Sequence, residues 1–310
     1  MNRRNNQHIP VLLNEVVAAM QIQPNGIYVD CTAGLGGHSQ ALLNKLGSEG
    51  KLICIDQDKN SIQSIKQLFA GDQRVKIIHD DFISIQHVLD DLKIKKVDGI
   101  LLDLGVSSPM FDDPKRGFSY HHEGKLDMRM NQNQKLDAWL ILNKYDAKQL
   151  NFIFKYYGEI RKCKKVTDAI INFRKKHEIN TTTQLVEIIK SALPPKQLHI
   201  KKHPARNYFQ AIRIAVNDEL NKLKLFLSKA FGLLNKYGRL VIITFHSLED
   251  RIVKQAFIKK TTMRIPKEVP VLSEQIDYLL ITKHPIIANQ EEVTINHRAR
   301  SAKLRAIERK

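Results

Sequence analysis

Apolar and polar positions follow two alternating rhythms along the first third of the chain. Short, nearly continuous apolar runs at 27–30, 51–56, 75–79 and 97–104 read as strands. Between them, 38–46, 61–69 and 82–92 carry apolar residues at helical spacing. Strands separated by helices predict βαβ units and a parallel sheet. Right-handed crossovers then place the C-terminal ends of the strands on one rim.

The rhythm breaks near Pro109. Residues 109–130 are rich in Gly, Pro, Asp and Arg and read as a long ordered loop, and 131–203 is helical throughout. Leu136, Trp139, Leu140 and Leu142 make one apolar face, and Leu150, Phe152, Ile153 and Tyr156 a second. Val166, Ala169, Ile170 and Phe173 make a third, and Leu185, Ile188 and Ile189 a fourth. Asp146 and Thr181 are predicted helix N-caps, Thr181 with Gln184 in capping-box position. The α/β rhythm then resumes with a long helix over 207–234 and a turn at Gly238-Arg239 into a strand at 240–245. A helix over 248–259 and strands near 278–282 and 302–307 follow. The expectation is one discontinuous α/β domain, 1–130 with 204–310, interrupted by a helical substrate-binding insert at 131–203.

The stretch from Ile27 to His38 closes a strand with Asp30 and continues into a cluster of Gly34, Gly36 and Gly37. Doubly wound folds build nucleotide or cofactor sites this way, because glycine lets the backbone approach a ligand and a helix start offers free N–H groups. A tight turn without ligand would use the same residues. A phosphate-cradling G-x-x-x-x-G-K-[ST] loop is absent, and the dinucleotide pattern fails because Ser39 stands at the third glycine. S-adenosylmethionine is the third candidate, with an acid closing the first strand and another closing the second. Asp30 and Asp56 take those places. The Asp56 carboxylate can accept from both ribose hydroxyls, or it can simply form a turn. After the third strand, Phe82 can flank an adenine or belong to the core, with Asp80 and Asp81 beside it to accept from the amino group. After the fourth, Asp103 faces the place where a sulfonium methyl would sit.

Charge adds a partner to this picture. The formal net charge is +18, and 131–203 holds fifteen Lys/Arg against six Asp/Glu. That excess points to a polyanion, nucleic acid before an anionic membrane surface, although a solvated face would also carry charge. The three cysteines, Cys31, Cys54 and Cys163, lack C-x-x-C spacing, which argues against a disulfide framework or zinc site and for free thiols in a reducing compartment. Residues 1–10 are polar with no apolar leader core, and no apolar run reaches membrane-spanning length. A cytoplasmic protein without a membrane partner is expected.

Further stretches extend the pattern over nearly the whole chain. They are His8-Ile9-Pro10-Val11-Leu12-Leu13-Asn14-Glu15, Gly34 to Ser39, Leu101 to Pro109, Arg116-Gly117-Phe118-Ser119 and Leu126-Asp127-Met128-Arg129-Met130. Phe209 to Ile214, Phe245 to Arg251 and Arg298 to Arg305 complete them. On these the chain resembles the bacterial small-subunit ribosomal RNA cytosine-N4 methyltransferases, which act on a cytidine of the decoding region. The resemblance implies an α/β fold, the Rossmann-like class I S-adenosylmethionine-dependent methyltransferase sheet with an inserted helical domain. It implies cofactor contacts at Gly36, Gly37, His38, Asp56, Phe82 and Asp103. A further contact, usually Gln after Ser-Ser-Pro, falls on Met110 here, and a thioether cannot reproduce an amide's hydrogen bonds. Small-subunit ribosomal RNA or the 30S subunit is the implied partner; the oligomeric state is open, a homodimer being one expectation.

The expected reaction is an in-line displacement at the sulfonium methyl. The cytosine N4 lone pair is delocalised, so acceptors aimed at its N–H groups would draw the nitrogen toward sp³ geometry. Asp103 and the backbone carbonyls of 105–108 are the candidates, and Asp103 serves equally as an anchor for the cofactor's amine. His246 invites a general-base role, but capping of the following helix together with Ser247, Glu249 and Asp250 is the preferred reading. Arg129, Arg213, Arg298 and Arg300 are candidate phosphate contacts, with His246 beside them as a candidate RNA contact. No metal-ligand spacing is present. A DNA amino-methyltransferase is disfavoured by the missing D/N/S-P-P-Y/F motif, and a non-catalytic RNA-binding assembly factor by the intact glycine turn, Asp56 and Asp103.

Overall fold

The computed structural model describes residues 9–106, 108–198, 203–262 and 277–310. The chain divides into two compact units, 1–105 with 220–310, and 106–219.

The first unit is built on seven strands: β1 (Ile27–Asp30), β2 (Lys51–Asp56), β3 (Val75–His79), β4 (Val97–Asp103), β5 (Leu234–Thr244), β6 (Tyr278–Leu280) and β7 (Lys303–Arg309). They lie in the order β3-β2-β1-β4-β5-β7-β6. β1 to β5 pair in parallel, and β7 runs antiparallel to both β5 and β6. This is the expected Rossmann-like sheet. Successive residues enter opposite cores: Val29, Ile53, Ile100 and Leu102 pack on one face, Tyr28, Leu52, Cys54 and Leu101 on the other. Burial on both faces explains why these strands read as continuous apolar runs rather than alternating ones. The strand order reverses between β1 and β4, the topological switch point where such sheets hold ligands beyond the strand C-termini.

Two sequence expectations change here. The strand placed at 240–245 begins at Leu234. Its pairing with β4 slips from Val97 opposite Leu234 to Gly99 opposite Arg239, and Tyr237, at φ 64°, takes up the surplus residues. The long helix at 207–234 is two helices, Arg206–Asn217 and Glu219–Ala230. Asp218, at φ 52°, ends the first in a left-handed turn, and the boundary between the two units falls at that break.

The second unit is helical, with Ala138–Lys144, Ala147–Phe152, Lys164–Arg174, Thr182–Ala192 and Arg206–Asn217 as its main helices. Asp146 and Thr181 cap as expected, each in a full capping box. The unit extends past 131–203 on both sides, because Phe118, Leu126, Met128 and Met130 share one core with Tyr208, Phe209 and Ile212. Two predicted faces are corrected. Ala138 and Ile141, with Leu142, are the buried positions of the first helix, and Leu140 is only half-buried. In the next, Leu150, Ile153 and Phe154 are buried while Phe152 and Tyr156 are 51% and 52% exposed. The helix widens there into a π-helical turn, Ile153–Tyr157, which rotates the following side chains. All three cysteines are buried free thiols.

Candidate functional site

The parallel register brings Asp30, Asp56 and Asp103, the last residues of β1, β2 and β4, to one rim of the first unit. They do different things there.

Asp30 is a scaffold. It is 1% exposed, accepts 2.6 Å from Ser39 Oγ and 3.2 Å from the Thr32 N–H, and so ties both ends of the glycine turn to β1. Burial pushes its carboxyl up to about 6 against these hydrogen bonds. The turn needs glycine for two reasons. Gly36 sits at φ 84°, and at Gly37 a Cβ would collide with the Pro10 ring. The protein itself, not only a ligand, requires these residues to be small.

Asp56 holds the turn from the β2 side. Its Oδ2 accepts from the Gly34 N–H and its Oδ1 from the Asp58 N–H, both at 2.8 Å. Each oxygen keeps a second acceptor direction. Burial raises this carboxyl too, to about 6.

Asp103 donates its backbone N–H to Thr32 Oγ1 at 2.8 Å. Its side chain is 23% exposed, yet Oδ1 is sealed from solvent and has no hydrogen-bond partner. Burial, then the charges of Asp30 and Glu249, hold this carboxyl well above the usual carboxylate range. His38, in the first turn of the helix Gly37–Leu43, lies with Nδ1 3.6 Å from Asp103 Oδ2 and donates from Nε2 to the Val11 carbonyl at 2.9 Å. Burial holds the imidazole at about 4, so it is neutral at physiological pH and cannot neutralise Asp103. Among the described residues no Lys or Arg forms an ion pair with Asp30, Asp56 or Asp103.

Phe82 is 8% exposed and meets Phe226 edge-on, centroids 5.6 Å apart. Beside it Asp81 caps the short 3₁₀ turn and pairs with Lys222 at 2.7 Å. Asp80 Oδ1 accepts from the Asp81 N–H and from Ser84 Oγ. Beyond β5, His246 N-caps the helix Ser247–Thr261 in a capping box with Glu249, whose Oε2 accepts from the Phe245 and His246 N–H groups. Its Nε2 stands 3.2 Å from Glu249 Oε1 without hydrogen-bond alignment. The capping role read from sequence is therefore realised by His246 and Glu249, while Asp250 instead accepts from Lys303 Nζ and Arg305 Nε at 3.1 and 2.6 Å.

The expected RNA-contacting arginines divide. Arg129 grips Asp127 through Nε and Nη2 at 2.9 and 2.7 Å and donates to the Gln134 carbonyl. Arg213 makes two 2.9 Å bonds to Glu219. Both are committed inside the second unit. Arg298 and Arg300 lie in the 3₁₀ segment His297–Ser301 of the first unit, Arg300 exposed. Met110 is buried in the apolar core of the second unit, which suits a thioether. Ser107 lies outside the described residues, as does His8.

The sequence reading missed Thr32, which holds Asp103's backbone, and Val11, which holds His38. It also missed Arg116, whose guanidinium bonds the Arg129 and Met130 carbonyls from a buried position. Pro10-Val11 and Arg116-Gly117 stood inside the resembling stretches, but nothing in their spacing announced these partners.

The arrangement is a set of buried and half-buried carboxylates without a protein cation, one buried oxygen of which, Asp103 Oδ1, is orphaned. It suits a ligand that brings positive charge and hydroxyl donors, and opposes phosphate. Comparison with known proteins agrees: the model of the MraW methylase family matches residues 5–310. The chain belongs to that family. Within it, the curated ribosomal RNA small subunit methyltransferase H of Ureaplasma parvum is 50% identical over 302 residues, covering 97% of this chain and 98% of the relative. The proteins of the same name from Oenococcus oeni and Streptococcus mutans are 48% and 47% identical, with 97% of this chain covered in each case. A solved Clostridium thermocellum chain described as an rRNA methylase aligns at 13% identity and TM-score 0.46, covering 97% of this chain and 99% of its own, too weak a likeness to argue from. Family membership thus rests on the sequence matches, and the carboxylate rim is what these residues build. No helix among the described residues is long and apolar enough to cross a membrane.

Proposed function

We infer that the protein is an S-adenosylmethionine-dependent methyltransferase that modifies the exocyclic N4 amine of a cytidine in small-subunit ribosomal RNA. Full-length identity near 50% to curated ribosomal RNA small subunit methyltransferases supports the activity. One structural observation carries the site: the orphaned Asp103 Oδ1 among carboxylates that lack a cation. S-adenosylmethionine fits it, bringing an ammonium, a sulfonium and two ribose hydroxyls.

On this reading Asp56 accepts from the ribose hydroxyls with the acceptor directions its backbone partners leave free. Gly36 and Gly37 let the chain pass close, and His38 walls the site as a neutral ring. Phe82, buried but for 8% of its surface, lines the adenine side with that remaining edge. When bound, the cofactor supplies an electrophilic methyl group. Asp103 accepts through its carboxylate either from the cofactor's ammonium or from the substrate's amino N–H, and in the second case it localises the nitrogen lone pair for attack. The target base must leave any stack to be reached. The unit 106–219, which contains the basic 131–203 segment, supplies RNA affinity through exposed cations. The substrate is the free RNA or the assembling 30S subunit, and the work is cytoplasmic. The test is mass mapping of small-subunit RNA incubated with the protein and isotopically labelled cofactor. A single labelled N4-methylcytidine is expected; label on another atom or base, or none, overturns the reading.

A further inference from the structure

We propose that Phe152 and Tyr156 form a stacking platform for unpaired bases of the RNA on the helical unit, neither of them being a candidate cofactor residue; this rests on the RNA-methylating reading above.

Three aromatic side chains among the described residues are exposed, Phe152, Tyr156 and Tyr237. Two of them touch. The rings of Phe152 and Tyr156 stand 4.8 Å apart, centroid to centroid, at 43°. Phe152 is braced from within by Tyr157, edge-on at 5.7 Å. Amphipathic spacing would have put both rings in the core, yet the chain spends a π-helical turn here, marked by the Gly158 N–H bonding the Ile153 carbonyl five residues back. Around that turn Ile153 and Phe154 are buried while Phe152 and Tyr156 stand in solvent.

The surroundings say what kind of partner fits. Between 144 and 176 there are ten Lys/Arg against three Asp/Glu. Lys148, one turn before Phe152, is exposed, and the exposed Lys155 places Nζ 5.4 Å from the Tyr156 ring centroid. Flat π-faces set among cations are the recurring surface for single-stranded nucleic acid: bases stack on the rings while phosphates meet the cations. A protein partner would ask for a wider apolar patch than two rings within a lysine field.

The probes are a single-stranded fragment of small-subunit RNA and a strand of equal length made abasic at its unpaired positions. Phe152→Ala/Tyr156→Ala is expected to weaken binding of the base-bearing strand tenfold or more, and to leave abasic-strand and cofactor affinities unchanged. Tyr156→Trp keeps the affinity, and its indole emission is quenched by the base-bearing strand beyond what wild type, with Trp139 alone, displays. The proposal is overturned if the double variant binds the base-bearing strand like wild type, which would leave the rings to a protein partner, or if it loses both strands equally. Wild-type methyl transfer to small-subunit RNA, measured in parallel, separates the two levels. Absent transfer overturns the parent reading and this one with it; transfer with unaltered binding in the double variant overturns this one alone.

Discussion

In the first unit three carboxylates end adjacent strands, Asp30 buried and Asp56 and Asp103 half-buried, with no Lys or Arg paired to them among the described residues. In the second, nine of the ten cations between 144 and 176 stand exposed. The contrast is one of dielectric as much as of sign. Buried charge answers to pH and to a complementary ligand and is little screened by salt. Exposed charge answers to ionic strength and is insensitive to neutral pH. The molecule should therefore have a pH-governed cofactor site and a salt-governed RNA surface that can be perturbed one at a time.

The strongest test of that separation is Asp103→Asn. The side chain keeps its shape and loses the charge, so methyl transfer should fall by at least about 100-fold, the scale of removing one preorganised electrostatic group. The apoprotein should melt no lower than wild type, because the substitution removes a charge that no cation balances. Calorimetry and a turnover assay on one preparation check both. Full activity would show that the carboxylate is neither acceptor nor anchor. A lost cofactor affinity at unchanged single-turnover rate would make it an anchor only.

Asp56→Ala comes next. Losing charge-assisted hydrogen bonds to the ribose should cost about 2–3 kcal/mol of cofactor affinity, roughly 30- to 150-fold by titration calorimetry. Since Asp56 also receives the Gly34 and Asp58 N–H groups, this variant should melt lower, unlike Asp103→Asn. RNA affinity at fixed salt should not move. Unchanged cofactor affinity would return Asp56 to the turn-former it also is.

The opposite perturbation neutralises Lys162, Lys164, Lys165, Lys175 and Lys176. Arg174 is left in place because it donates to the Leu142 carbonyl at 2.7 Å. RNA binding should weaken by about tenfold near physiological salt, and its salt slope should flatten by as much as about 0.7 per lost phosphate contact. Cofactor affinity measured in parallel should be unchanged. An unaltered slope would mean that these lysines are only solvated.

These two regions were not equally legible in the sequence. The strand ends were, because a parallel sheet fixes where each apolar run stops and an acid that closes a run must lie on the rim. Asp30, Asp56 and Asp103 follow from that alone. What each acid does was not legible. Asp30 takes a hydroxyl, Ser39, and one backbone N–H, while Asp56 takes two backbone N–H groups, Gly34 and Asp58, and those partners are placed only when the turns after β1 and β2 are folded. In the helical unit periodicity located the helices but misassigned Phe152, Tyr156 and Leu140; a π-turn or a one-residue change in helix start rotates the face after it by about 100°, which accounts for Tyr156 and Leu140. The split at Asp218 escaped notice because a left-handed Asp carries no stronger signal than a helical one. Arg129 and Arg213 looked like free cations because their partners, Asp127 and Glu219, become visible only when the loop and the helix end are folded.

The smallest effect expected is on stability against pH, and it separates the regions without any change of contacts. Asp30 and Asp56 titrate near 6 when folded against an ordinary 3.8, so between those values the native state holds more protons than the unfolded chain. Stability from these two groups therefore falls as pH rises through that window. His38 opposes them, since its folded value near 4 lies below 6.5 and its contribution grows over nearly the same range. Asp103, raised well above 3.8, sides with the other acids. Three acids against one imidazole leave a net loss, expected as a melting temperature several degrees lower at pH 7.5 than the other carboxylates of the protein would give. The difference between wild type and Asp103→Asn isolates one member of the set: near zero at pH 4, it should widen as pH rises, with the variant the more stable. Raising the salt from 0.05 to 0.5 M should leave that difference curve in place while it erodes RNA binding. Saturating cofactor should close the gap from the wild-type side, because its positive charge favours ionised Asp103. A curve that collapses in salt would mean Asp103 is solvated, and the division between a pH-governed site and a salt-governed surface would fail at its central residue.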